Sequence, residues 1–134
     1  MNKIKFDEKK EFFTAEDYDF FMKVALAGGK FKFLHEVLGK HLLYKDSNSA
    51  NYLMHKNAIM SVTKNHVFNI QKFTDNKNKL WNKVKINFYF MDAIYLFTTK
   101  KKYFAGIFIL LKILLFNPVY TLYLIFRKLK RFFF

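Results

Sequence analysis

The sequence has no cysteine, which excludes disulfides and thiolate metal sites and suits a reducing compartment. It has one proline, Pro118, and four glycines, so no Pro-rich or Gly-rich linker divides it. Acids are scarce: ten Asp and Glu face 24 Lys and Arg, a net charge of +14. Such a balance favours polyanions, whether nucleic acid, anionic headgroups or phosphorylated substrates. The acids that exist gather up to Asp19, and the remainder of the chain is basic. A long uninterrupted apolar run is also lacking. Residues 103–126 come nearest, but Lys112 and Asn117-Pro118 break them, and spanning a bilayer takes roughly 20 consecutive apolar residues. Residues 1–13 are charged and do not read as a signal peptide. Gly28-Gly29 has no Gly-x-x-x-x-Gly-Lys-Ser/Thr around it and is no phosphate loop.

What is present is largely apolar: 52% of the residues are hydrophobic, 21% are aromatic, and 19 are Phe. That suffices for a core and argues against disorder. It also exceeds what a chain of this length can hide, so some apolar surface is expected to face a partner or a lipid.

Thr14-Ala15-Glu16-Asp17 has the spelling of a capping box. Phe20, Phe21, Val24, Ala25 and Ala27 follow at helical spacing up to Gly28-Gly29, which predicts a helix over 15–27. Phe31, Phe33 and His35 alternate with Lys32, Leu34 and Glu36, the pattern of a short strand over 30–36. A second extended stretch covers 37–44, and Asp46-Ser47-Asn48-Ser49 is a polar turn. Helices are predicted over 51–73 and 80–99, the latter with a stripe of Trp81, Val84, Phe88, Met91, Tyr95 and Leu96. Two shorter helices, 101–116 and 119–132, meet at Asn117-Pro118. The organisation is therefore read as three parts: 1–50, a helical extension 51–100, and an apolar, basic helical pair 101–134. In that last part Phe, Leu and Tyr suit a headgroup boundary, and Lys112, Arg127, Lys128, Lys130 and Arg131 suit anionic lipid.

The informative segment is 6–49. It runs Phe6-Asp7-Glu8, Ala15-Glu16-Asp17-Tyr18-Asp19-Phe20-Phe21, Lys23-Val24-Ala25, Gly28-Gly29-Lys30-Phe31, Phe33-Leu34, Glu36-Val37-Leu38, Tyr44-Lys45 and Ser47-Asn48-Ser49. In order and spacing it resembles the second half of the catalytic domain of family-two glycosyltransferases with a GT-A fold. The resemblance implies an α/β fragment, a helix plus short strands, followed by C-terminal helices. It implies inverting transfer of a sugar from a nucleotide-sugar donor to a glycan or lipid-linked acceptor hydroxyl, in surface-glycan, lipopolysaccharide or capsule biosynthesis, at the cytoplasmic face of the inner membrane.

The chemistry has clear needs. A hydroxyl is a poor nucleophile near neutral pH, so a carboxylate must take its proton, and the sugar carbon develops oxocarbenium character. By resemblance Asp17 is the general base, Glu16 holds acceptor groups, and Tyr44 and Lys45 contact substrate. Lys45 stands where the family usually has Arg, which removes the bidentate fork for phosphate, and Ser47 stands where the family's Tyr-Arg-x-His pattern has His. Asp19 falls on another face of the helix and reads as structural. The family's divalent metal, Mg or Mn, and its nucleotide site belong to an upstream half. No Asp-x-Asp precedes Glu16, so the 134 residues alone are not expected to turn over. His35, His41, His55 and His66 form no ligand pattern. The alternative class is a small basic protein without enzymatic activity, bound to a membrane or to nucleic acid. No RNA-recognition, KH or zinc-finger spelling supports the nucleic-acid version, and no nucleic-acid partner is expected.

Overall fold

The structure, a computed structural model, describes residues 4–40, 51–73 and 76–133. They form a 3-10 turn (Lys10–Phe12) and five α-helices: α1 (Glu16–Leu26), α2 (Tyr52–Asn65), α3 (Lys77–Thr98), α4 (Tyr103–Phe116) and α5 (Pro118–Phe133). A single π-helical turn, His66–Ile70, prolongs α2. The chain divides into two compact units, Met1–Lys72 and Phe73–Phe134.

The expectation of an α/β fragment is not met, because no strand occurs among the described residues. Lys30 to Glu36 keeps its alternation, yet residues 30–40 are exposed and enter no regular element. A strand persists only when a neighbour takes its backbone N–H and C=O groups. No neighbouring strand exists among the described residues; Phe31 meets Phe21, and Phe33 meets His35, edge to face. Residues 41–44 of the second extended stretch, with Tyr44, Lys45 and the polar turn, lie outside the described residues.

In the first unit, Phe12 and Ala15 pack with Ala58 and Val62 of α2, and Met22 and Ile59 flank them. α1 ends as its glycines predict. Gly28 takes φ +83, its N–H bonds Ala25 O, and the Gly29 N–H bonds Val24 O, a Schellman cap. The start of α1 differs from the expected capping box. Ala15 is the N-cap and no side chain caps the helix. Thr14 instead turns the chain at φ 79 and places its hydroxyl 3.2 Å from His55 Nδ1. Reciprocal capping needs extended backbone at the cap residue, which Thr14 does not have.

In the second unit, Asn76 caps α3 by accepting from the N–H groups of Asn78 and Lys79. Asn117 caps α5 by accepting from Tyr120 N–H, and Pro118 occupies the first helical position, where its missing N–H costs nothing. Ile86, Phe90, Ile113 and Leu124 form the core. The Thr121 hydroxyl donates to the Ile113 carbonyl at 3.0 Å, and the Asn87 amide donates to Tyr120 Oη at 2.7 Å. Gly106 lets α4 approach Phe97, since a Cβ there would lie 2.8 Å from the ring.

The buried stripe of α3 is Ile86, Phe90 and Ala93. The expected stripe is half a turn away, and Met91 within it is exposed. α4 and α5 keep much apolar surface outside. Phe104 (91% exposed), Phe108, Leu111 and Leu115 (86%) follow one face of α4, and Val119, Leu122, Tyr123 and Phe126 one face of α5. No helix among the described residues is long and apolar enough to cross a membrane. At about 1.5 Å per residue, α4 falls short of a hydrocarbon core about 30 Å thick.

Candidate functional site

The candidate acids stand at the start of α1, where unpaired N–H groups and the macrodipole favour negative charge. Asp17 is exposed, and its Oδ1 accepts the Tyr18 N–H at 2.8 Å. Glu16 is half-buried and lines an open hollow of about 680 Å³. Glu8, Glu11, Lys10, Asn57 and Ser61 share that lining, but Asp17 does not. The hollow therefore combines carboxylates, an amide, a hydroxyl and the two ammonium groups of Lys9 and Lys10 with the apolar Phe13, Met54 and Ala58, a lining with donors and acceptors for a hydroxylated ligand.

Strain marks the same turn. Thr14 is β-branched, and its positive φ costs of order 1–3 kcal/mol. The fully buried neighbours Phe12 and Ala15 and the His55 contact hold it. The backbone entering Glu16 is thereby fixed by α2.

One turn further, α1 is anchored by a cluster that sequence reasoning did not assemble. Asp19 is fully buried. Its Oδ1 accepts from His66 Nε2 at 2.8 Å, and its Oδ2 meets the Lys23 ammonium as an ion pair without a hydrogen bond of good geometry. Lys23 also reaches Asp7 at 3.8 Å, and Lys9 reaches Asp7 at 3.3 Å. The Gln71 amide donates to His66 Nδ1 at 3.4 Å, which with the Asp19 contact defines the Nε2–H tautomer of His66. Both members of the acid–imidazole pair are closed to solvent. No substrate reaches them, so the cluster positions α1 and does not react.

The Asp19–Lys23 spacing of four residues is visible in the sequence. His66 lies 47 residues away and carries no local signal. The π turn that begins at His66, closed by Gln71 N–H to His66 O at 2.9 Å, delivers the imidazole and the amide together.

Among the described residues, no three His, Asp or Glu side chains come close enough to share an ion. The divalent metal implied by the resemblance finds no ligand set among them. Tyr44 and Lys45 lie outside the described residues. No protein-family model, characterised protein or solved structure matches the chain.

Proposed function

We propose that the chain is the acceptor-side end of a sugar-transferring enzyme working at an anionic membrane surface. The observation that carries the catalytic part is the acid pair at the start of α1, one member of which, Glu16, lines the open hollow with Glu8, Glu11 and Asn57. Glu16 would hold acceptor hydroxyls there. Asp17, next along the chain and free of the buried cluster, would take the proton of the attacking hydroxyl. The buried Asp19–His66–Lys23 cluster and the Thr14 turn support this role by holding the first turn still. The donor site and the metal would come from a nucleotide-binding half outside these 134 residues.

The test is sugar transfer by the chain combined with that half. Asp17→Asn should lower kcat by about 10²–10⁴, the usual contribution of a general base, with donor affinity unchanged. Glu16→Gln should act mainly on the acceptor KM. Full turnover in Asp17→Asn removes Asp17 from the base role.

A second observation favours the membrane surface. Residues 73–134 hold twelve Lys or Arg against Asp75 and Asp92, beside the exposed apolar faces of α4 and α5. Apolar groups entering the headgroup boundary and cations meeting anionic lipid are the two terms of interfacial binding. The chain should sediment with vesicles containing phosphatidylserine and release as salt rises. Phe104→Ser with Phe108→Ser should abolish sedimentation, and sedimentation equal to that of the unaltered chain would refute docking through α4.

A further inference from the structure

Between α3 and α4 runs an open groove of about 490 Å³, a volume usual for small-ligand sites. Its walls are apolar: Ile86 and Tyr89 from α3, Ile113, Leu115 and Phe116 from α4. Among the described residues its only charged lining is Lys85 and Lys112, with no carboxylate. Lys112 is the sole charged residue between Tyr103 and Phe126. Its ammonium lies 6.0 Å from the Tyr89 ring centroid, so the cation is kept at the groove and not spread along the helix face. Leu115 belongs both to the groove and to the exposed face of Phe104, Phe108 and Leu111. The groove thus opens onto the surface proposed to meet lipid.

We infer that this groove binds one anionic phospholipid molecule. The phosphate lies between Lys85 and Lys112, and an acyl chain follows the exposed Leu115 and Phe116. Two ammonium groups without an acid match a phosphate, and the apolar walls match a chain. A free anion would leave those walls unused, and a neutral lipid would leave two cations unpaired. The inference rests on the membrane-surface reading for its biological setting, but its binding test does not.

The probe is dihexanoyl-phosphatidic acid below its micelle concentration, titrated into the isotope-labelled full chain and followed by NMR. Saturable shifts at Lys85, Tyr89 and Ile113 are expected. Lys85→Gln with Lys112→Gln should weaken binding about thirtyfold, at about one order of magnitude or less per lysine. Inorganic phosphate and dihexanoylglycerol should each bind at least about tenfold more weakly than the whole lipid, each lacking one of the two contributions. Circular dichroism confirms that the double variant keeps its helices. Equal binding by the double variant overturns the inference. So does phosphate alone binding as tightly, which marks a plain anion site, or dihexanoylglycerol binding as tightly, which marks a plain apolar groove.

Phe104→Ser with Phe108→Ser lies outside the groove and should lose vesicle binding while keeping the soluble lipid. Soluble-lipid binding by a chain that does not sediment with vesicles would sink the surface reading and leave the groove standing. Sedimentation without groove shifts would sink the groove alone.

Discussion

Replacing Asp19 by Ala tests whether the buried acid–imidazole pair holds the first unit together. The substitution removes a charge-assisted hydrogen bond and leaves the His66 Nε2–H, 1% exposed with its ring, without an acceptor. Lys23 loses its near partner as well, but it is partly exposed and keeps Asp7 at 3.8 Å, so its share is small. A lost hydrogen bond to a charged group counts about 1.5–3 kcal/mol, and an orphaned buried donor about 1–3 kcal/mol. Together they approach the roughly 3–5 kcal/mol measured for breaking buried pairs. The first unit spans Met1–Lys72, and at about 0.05–0.15 kcal/mol per residue its stability is about 4–11 kcal/mol. Asp19→Ala therefore removes a large part of it.

Hydrogen exchange is the suitable assay, because the chain has two units and global unfolding need not be two-state. Amides of α1 and α2 should exchange at least about 100-fold faster, since 1.4 kcal/mol is a factor of ten. Amides of α3 should stay as they are. A cycle with His66→Ala should show coupling of about 1 kcal/mol or more, because the two residues touch. Unchanged protection of α1, or strict additivity in the cycle, would refute the assignment of Asp19 as the anchor.

Two further perturbations read single backbone features. Gly28→Ala meets no atom within 4 Å but must keep φ +83, so it should cost about 1–2 kcal/mol from left-handed strain and speed exchange at the C-terminal end of α1. Gly106→Val should drive a side chain into Phe97 and separate α3 from α4. A loss of about 1–3 kcal/mol is expected, read as a lower urea midpoint by the fluorescence of Trp81 on α3.

The helices and their ends were legible locally. Gly28 and Asn117-Pro118 act through their own backbone and nearest neighbours, and α1, α3, α4 and α5 begin and end within a few residues of where the spacing puts them. The apolar excess likewise foretold exposed Phe and Leu on α4 and α5. The acid pair was legible as a motif, but nothing in its spelling told that Glu16 lines a hollow and Asp17 does not. The strand over 30–36 was misread because alternation records only what a strand would bury, and a strand depends on a neighbour that the pattern cannot supply. On α3, apolar residues occur on several sides. The choice of Ile86, Phe90 and Ala93 over Trp81, Val84, Phe88 and Met91 fell to α4 and α5.

Sequence alone thus determined helix identity, helix ends, the basic balance of residues 73–134 and the apolar surplus, since each depends on interactions within a few residues or on composition. Tertiary structure decided the partnership of Asp19 with His66, the hollow at Glu16, the groove between Lys85 and Lys112, and the phase of the α3 core. Each of these joins residues far apart along the chain, whose meeting is set by how helices pack and not by any local preference.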